Sequence, residues 1–207
     1  MFTRPQTPRY RSRRDDRNAG ILQWSLIMVS IRTTDETVRA GDRELIHFAF
    51  GECSLGTILV AATGKGVCAI LLGDDRDGLR RNLCDRLPTA QLTEGGKAFE
   101  PLLAEIVALV ETPTRGIDLP LDLRGTDFQR RVWQALREIP AGTTASYREI
   151  ADRIGASNAV RAVARACAAN ALAVAIPCHR VVRADGARSG YRWGMACKQI
   201  LLDREAA

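Results

Sequence analysis

Hydrophobic positions form three short runs in the first half of the chain, and each run contains β-branched or other strand-forming residues. The runs are Leu45–Phe50, Leu55–Ala61 and Val67–Leu72. Gly51–Ser54 and Thr63–Gly66 separate them, and these glycine-containing stretches predict two hairpin turns. The pattern therefore predicts three strands joined by hairpins.

Two stretches with apolar residues at helical spacing follow the strands. Asp75–Leu87 has leucines four residues apart, and Phe99–Val110 repeats the stripe of an amphipathic helix. Pro88 and Pro113 end these two predicted helices, because proline cannot continue a helix without losing a backbone hydrogen bond.

A last apolar run in this half, Ile117–Leu123, predicts one further strand. Pro120 has no backbone N–H to donate, so this strand is expected at the edge of a sheet. Residues 45–123 would then form a small α+β domain. No polar cluster in it indicates chemistry, so we expect a scaffold.

Residues 124–207 have mostly helical patterns. Thr126 is the expected N-cap of a first helix, and Ser146 with Glu149 forms the capping box of a second. Helices are predicted from Thr126 through Glu138, and over Tyr147–Ile154, Ala159–Ala169 and Met195–Arg204. Two short helices around a turn, followed by a strand at Val181–Val182 and its return, predict a winged helix-turn-helix.

Residues 1–44 are predicted to be a disordered basic extension. Residues 1–20 hold six arginines and almost nothing apolar, so they cannot bury a core. The apolar segment 21–31 resembles a signal peptide only superficially, because polar residues interrupt it and no clean cleavage site follows. We therefore expect a cytoplasmic protein. Translation starting at Met28 is an alternative interpretation of this segment.

Charge and cysteine content narrow the function. Residues 126–207 carry 13 Lys/Arg and 7 Asp/Glu, which favours a polyanionic partner for this half. No apolar run reaches the roughly 18 residues of a membrane span. The six cysteines form no C-x-x-C pair and only two histidines occur, so we expect no metal site. We also expect no cofactor, reduced thiols and a monomer.

The candidate chemistry lies in the run Asn170–Val182. Pro177 pushes Ile176 into an extended conformation and holds Cys178 beside His179 on a non-helical bend. An imidazole is the usual activator of a nucleophilic thiol. Neighbouring side chains of an extended chain face opposite sides, so we expect a bridging water or a sharp turn between them. A buried structural cysteine is the alternative.

The predicted helix Ala159–Ala169 has only two long polar side chains, Arg161 and Arg165. They are four residues apart and therefore share one helix face. Because the rest is largely alanine, this helix could approach a sugar–phosphate backbone closely, which suits the minor groove. An alanine-rich core helix with two solvated arginines is an equal alternative.

The run Pro177–Val181 resembles the active-site motif of the O6-alkylguanine-DNA alkyltransferases, also called methylated-DNA–protein-cysteine methyltransferases. The similarity covers the second half and is strongest to the alkyltransferase half of the bacterial adaptive-response protein. It is carried by Phe128–Leu136, Tyr147, Arg161–Val163, Asn170, Ser189–Gly194, Lys198 and Glu205, and by Leu71–Asp75 in the first half. It implies DNA repair activity and an RNase H-like first domain. The sensor domain of the adaptive-response protein is not evident, so direct gene regulation is not expected.

The resemblance also implies catalytic roles. Cys178 would accept the alkyl group from O6 of guanine, once per molecule. His179 would take the thiol proton through a water, and Glu205 would orient His179. Tyr147 would donate a proton toward N3 of the leaving guanine, and Asn170 would hold the segment that carries Cys178.

The same resemblance implies a DNA surface and a substrate pocket. Arg161 would fill the gap left by a flipped nucleotide in double-stranded DNA bound through its minor groove. The expected DNA-contacting residues are Arg161, Arg165, Tyr147, Ala159 and Ala162, and the expected pocket residues are Tyr191, Trp193, Arg192 and Ser189. Activity on O4-alkylthymine stays open. The alternatives are a helix-turn-helix regulator without alkyl transfer and a cysteine hydrolase or transferase of small molecules.

Overall fold

The computed structural model describes residues 43–187 and 190–206. Most of the predicted basic extension, together with Met28 and Ser189, lies outside the described residues. The first half contains the strands β1 (Leu45–Cys53), β2 (Gly56–Thr63), β3 (Gly66–Gly73) and β4 (Gln91–Glu94), and the helices α1 (Arg76–Arg86) and α2 (Glu100–Glu111). The second half contains α3 (Asp127–Arg137), β5 (Ala145–Ser146), α4 (Tyr147–Arg153), α5 (Val160–Ala169), β6 (Val181–Val182) and α6 (Met195–Ala206).

The strands of the first half form one sheet in the order β3-β2-β1-β4. The pairs β1–β2 and β2–β3 are antiparallel, which confirms the predicted hairpins, whereas β4 pairs with β1 in parallel. Alternate residues of β2 face opposite sides of the sheet. Ile58 belongs to the core that includes Ile106 of α2, and Leu59 to the core that includes Leu83 of α1. Both faces of the sheet are therefore covered by a helix.

The prediction of an edge strand over Ile117–Leu123 is wrong, because the segment does not form a regular strand. The segment makes a single bridge, between Val67 and Leu121, and Pro120 contributes only its carbonyl. Gly66 turns at a φ of 153°, and a Cβ there would lie 2.5 Å from the carbonyl oxygen of Pro120. The fourth strand is instead β4, which was not predicted because Gln91–Glu94 is short and has a single apolar residue, Leu92.

The helices of the second half begin largely where their caps predict. Thr126 and Gln129 form a capping box at the start of α3, and Ser146 and Glu149 form the predicted one at α4. The packing of α3 against α5 includes a hydrogen bond from Trp133 Nε1 to the carbonyl oxygen of Ala166 (2.8 Å). No helix of residues 43–187 and 190–206 has both the length and the apolar character needed to cross a bilayer.

The two halves meet at β3. The N–H of Ile70 donates to the carbonyl oxygen of Ala171 (2.8 Å), and the N–H of Ala173 donates back to Ile70 (3.0 Å). Apolar residues of both halves also share one core, from Ile70 to Leu201 of α6. The segment between α5 and Cys178 is thus fixed to the sheet by backbone hydrogen bonds.

Candidate active site

Cys178 lies in a single turn of 3-10 helix, Cys178–Arg180, that follows Pro177. The N–H of Arg180 donates to the carbonyl oxygen of Pro177 (3.0 Å) and closes the turn. Cys178 is 5% exposed and His179 is fully buried. The backbone therefore takes the sharp turn that the sequence analysis gave as one of two ways to accommodate these neighbours.

Asn170 ties the approach segment to the thiol. Its Nδ2 amide donates to the carbonyl oxygen of Ile176 (3.0 Å) and to Cys178 Sγ (3.2 Å), and Oδ1 accepts from the N–H of Leu172 (2.8 Å). The side chain is completely buried, so these bonds do not compete with water. A hydrogen bond donated to sulfur also favours the thiolate over the thiol.

The loop between Asn170 and Cys178 contains one strained residue that sequence reasoning did not identify. Val174 has a φ of 63°, which is uncommon for any residue but glycine and an outlier for a β-branched one. Backbone hydrogen bonds on either side hold Val174 in this conformation. The N–H of Ala175 donates to the carbonyl oxygen of Ala173, and the N–H of Ile176 donates to the carbonyl oxygen of Leu172. Such strain persists only where neighbouring structure over-determines it, and here it lies in the loop that leads to the candidate nucleophile.

His179, Arg180 and Glu205 form a buried charged cluster. His179 Nε2 and Glu205 Oε1 are 2.8 Å apart. Arg180 binds both oxygens of the same carboxylate, with Nε to Oε2 at 2.9 Å and Nη2 to Oε1 at 2.8 Å, and Nη1 donates to the carbonyl oxygen of Ile139 (2.6 Å). Arg180 stands in the predicted active-site motif, but this role for it was not predicted from the sequence. The residues around Arg180 in the sequence do not show that its guanidinium binds a carboxylate on α6.

The Glu205 carboxylate is ionised in this cluster. Burial acts to raise its pKa, but hydrogen bonds from His179 and Arg180 lower the pKa to about 2. The N–H of Gly142 donates a further bond to Oε2 (3.3 Å). Gly142 has a φ of 74°, and a Cβ there would lie 2.9 Å from the Glu205 carbonyl oxygen. The loop before α4 therefore closes over the carboxylate only with glycine at this position.

His179 is neutral at rest. Burial lowers its pKa below the usual value, and the neighbouring Glu205 only partly opposes this. With Nε2 directed at Glu205, the second ring nitrogen, Nδ1, is buried and makes no hydrogen bond to any described residue. Nδ1 of the imidazole is therefore available to exchange a proton, while Nε2 faces the Glu205 carboxylate.

Burial also raises the pKa of the Cys178 thiol to about 11, and the Asn170 amide and the Lys198 ammonium only partly counter it. Lys198 is completely buried and donates to the carbonyl oxygen of Val181. The resting nucleophile is thus a neutral thiol. Any reaction at sulfur needs a base to remove its proton as the bond forms.

A cavity of about 270 Å³ opens beside the thiol. Its lining residues are Tyr147, Ala164, Cys167, Ala168, Cys178, Gly190, Tyr191 and Arg192. The structure thus brings three predicted residues, Tyr147, Tyr191 and Arg192, together with Cys178. The Tyr191 hydroxyl is buried without a hydrogen-bond partner among the described residues, so a donor is available at this cavity.

The other predicted pocket residues lie differently. Trp193 does not line the cavity; its ring packs edge-to-face against Tyr191 with centroids 5.1 Å apart. Ser189 lies outside the described residues. Sequence reasoning missed Cys167 and Ala164, although their spacing of three on α5 is the signal that they share a helix face.

The outer face of α5 is basic and otherwise built of small residues. Arg161 and Arg165 are exposed, and neither forms an ion pair with another described residue. Ala159 and Ala162 are half-buried next to them. Residues of the inner side, Ala164 and Cys167, reach the cavity. One helix therefore connects a surface suited to phosphates with the thiol site.

The charged cluster predicts a specific loss of stability in acid. Because the pKa of Glu205 is lower when folded (about 2) than when unfolded (about 4.5), its contribution is complete above pH 4.5 and disappears toward pH 2. The shift corresponds to about 3 kcal/mol. We expect urea unfolding at several pH values to show this loss, with a flatter pH dependence in Glu205→Gln. The matched variant Glu138→Gln, at an exposed position, should keep the wild-type dependence.

Three comparisons with known proteins agree. The sequence model described as "6-O-methylguanine DNA methyltransferase, DNA binding domain" matches residues 127–207. The chain is 48% identical over 183 residues to the bifunctional transcriptional activator/DNA repair enzyme Ada of Escherichia coli, covering 84% of this chain and 52% of that protein. It is 41% identical to a methylated-DNA–protein-cysteine methyltransferase of Candida albicans, covering 77% of this chain and 96% of that protein.

A solved structure gives the same result. The crystal structure of Mycobacterium tuberculosis OGT in complex with DNA superimposes with a TM-score of 0.64 at 35% identity, covering 78% of this chain and 92% of that one. The chain spans about half the length of the Ada proteins it matches, 52% and 49%. The likeness to the Candida and Mycobacterium proteins extends over nearly their whole length.

Proposed function

The chain belongs to the family of methylated-DNA–protein-cysteine methyltransferases, and we propose that it repairs DNA by moving the alkyl group of O6-alkylguanine onto Cys178. The observation that carries this proposal is the buried thiol in the lining of a cavity, followed in the chain by an imidazole that an ionised carboxylate holds. Nucleophile, base and orienting group are the three parts that thiol chemistry requires.

The transfer follows from the geometry of these groups. Cys178 sulfur attacks the alkyl carbon, the bond from that carbon to O6 breaks, and its electron pair stays on the guanine. The thiol proton passes to His179 Nδ1 through a bridging water, and the positive imidazolium is stabilised by Glu205 2.8 Å away. Tyr147, at the cavity wall, supplies a proton to the leaving base. The thioether formed has no good leaving group, so each molecule reacts once.

Access to the thiol requires an extruded nucleotide. Cys178 is 5% exposed, so a base stacked in a duplex cannot reach it, and the target must be flipped into the cavity. The exposed arginines of α5 support a partner rich in phosphate, and the small residues between them support minor-groove binding. We assign α4, α5 and the turn after β6 to a winged helix-turn-helix, and the sheet of the first half to an RNase H-like domain. The protein would act as a cytoplasmic monomer.

Intact mass spectrometry tests the proposed function. The protein is mixed with a duplex that carries one O6-methylguanine, and with the same duplex unmodified. We expect a mass increase of one methyl in place of one hydrogen, once per chain, and a modified peptide that contains Cys178. Binding to the duplex without any mass change would favour the regulator and contradict repair.

Arg161 should matter most where a base has to be extruded. It is exposed on the outer face of α5 and unpaired among the described residues, so it is available to occupy the vacated stack. We expect Arg161→Ala to slow transfer from a duplex by about tenfold and transfer from single strands much less, because only the paired base must leave a stack. Single-turnover rates on both substrates measure this.

Arg165→Ala is the matched control for Arg161. It lies one helical turn away on the same exposed face of α5. As a phosphate contact it should weaken binding to both substrates and reduce the salt dependence of binding. Equal losses on duplex and single strands in Arg161→Ala would mean that Arg161 is only such a contact.

A further inference from the structure

Among the described residues, the lining of the cavity beside Cys178 includes one cationic side chain and no carboxylate. That cation is Arg192, which stands in the segment between β6 and α6. The remaining lining residues are small, aromatic or cysteine. The guanidinium is always charged, so a group that enters the cavity meets a positive charge.

Arg192 is held in place by both halves of the molecule. Its Nη1 donates to the carbonyl oxygen of Ala168 at the end of α5 (3.1 Å), and its Nη2 donates to Asn82 Oδ1 on α1 (3.3 Å). The same Asn82 oxygen accepts from Arg86 Nε (2.9 Å), and Arg86 Nη1 binds the carbonyl oxygen of Ala169 (3.2 Å). A helix of the first half thus fixes the position of this guanidinium.

These bonds leave the charge of Arg192 uncompensated. Both partners are neutral oxygens, and among the described residues no carboxylate forms an ion pair with Arg192. A guanidinium has five N–H donors, of which these two bonds use two. Burial dominates the raised pKa of the Cys178 thiol, but the charge of Arg192 is among the weaker effects that lower it, so the two groups interact.

Resting on the proposed function, we propose that Arg192 makes the cavity selective for anionic adducts, in particular O6-carboxymethylguanine. The adduct's methylene carbon would meet Cys178 sulfur while its carboxylate binds the guanidinium. Sulfur forms a bond to the methylene, the bond from methylene to O6 breaks, and the electron pair stays on guanine, which takes its proton from Tyr147 as in methyl transfer. The thiol proton leaves to His179, and the product is S-carboxymethyl-Cys178.

The electrostatic reason is the cost of moving a carboxylate from water into a partly enclosed cavity. An unpaired carboxylate would lose its hydration there, whereas a guanidinium offers two parallel hydrogen bonds of matching geometry. A neutral adduct gains nothing from the charge. A contact between Arg192 and a DNA phosphate would instead favour every substrate equally, so comparison between adducts separates the two roles.

The experiment compares three duplexes that differ only in the O6 substituent: methyl, carboxymethyl and the uncharged carbamoylmethyl group of the same size. Single-turnover rates are measured for the wild type and for Arg192→Gln. We expect the carboxymethyl-to-carbamoylmethyl rate ratio to fall about tenfold in Arg192→Gln, equivalent to about 1.4 kcal/mol. The methyl rate serves as the reference for each protein, and urea unfolding of Arg192→Gln shows separately that the variant folds.

Three further variants sharpen the result. Arg183→Gln removes the same charge from an exposed arginine paired with Asp185, and should leave the ratio unchanged. Asn82→Ala frees one side of the guanidinium and should lower the ratio by a smaller factor than Arg192→Gln. Arg192→Lys keeps the positive charge but lacks the paired N–H donors of the guanidinium, so it should recover part of the ratio that Arg192→Gln loses.

The possible outcomes separate this inference from the proposed function. An equal slowing of all three substrates in Arg192→Gln makes Arg192 a DNA contact and overturns the inference. An unchanged ratio with normal methyl transfer also overturns it, while leaving repair intact. Failure of the wild type to transfer any of the three groups contradicts the proposed function itself.

Discussion

Replacing Cys178 with alanine is expected to abolish alkyl transfer completely. Transfer forms a bond between sulfur and the alkyl carbon, and an alanine methyl has no lone pair to supply. The basic face of α5 is unaffected, so the variant should still bind a duplex containing O6-methylguanine. Intact mass after long incubation measures the first effect, and a gel-shift titration with the same duplex measures the second.

Cys167 provides the matched control for this substitution. It lines the same cavity and is 7% exposed, close to the exposure of Cys178. It has no imidazole directly after it in the sequence, and burial raises its pKa far above the usual value. Cys167→Ala should therefore keep one methyl per chain. Methylation that survives in Cys178→Ala but disappears in Cys167→Ala would show that Cys167, and not Cys178, is the acceptor.

The parts of the fold that follow from local rules could be predicted from the sequence. Thr126 and Ser146 satisfy free N–H groups at helix starts, so their positions define α3 and α4 without tertiary information. The β-branched runs before Gly73 likewise define three strands. The segment Ile117–Leu123 misled the same reasoning, since a hydrophobic run does not show whether it pairs along its length or at one residue.

The site was predictable in its residue types and less so in its contacts. Adjacent Cys178 and His179 are visible in the sequence, and a family resemblance pointed to Glu205. The Arg180 guanidinium binds the Glu205 carboxylate 25 positions away in the sequence, and Arg192 binds Asn82 110 positions away. Such pairs depend on how the two halves pack. The positive φ of Val174 is equally hidden, because local preference opposes it.

Replacing Glu205 with leucine is expected to lower the free energy of unfolding by about 3–5 kcal/mol. Leucine is at least as large as glutamate, so the loss comes from charge and hydrogen bonds rather than from a cavity. Arg180, whose side chain is 10% exposed, would keep its charge without a carboxylate, and His179 Nε2 would lose its partner. Urea unfolding at pH 7 measures the change.

The double variant Arg180→Met/Glu205→Leu identifies the cause of that loss. Removing both charges leaves no uncompensated ion, and buried ion pairs replaced by apolar residues of similar size are often close to neutral. We therefore expect the double variant to recover at least about 2 kcal/mol relative to Glu205→Leu alone. Losses that simply add would mean that Arg180 and Glu205 act independently. Both variants should transfer methyl groups slowly, because His179 would have no carboxylate to stabilise its positive charge.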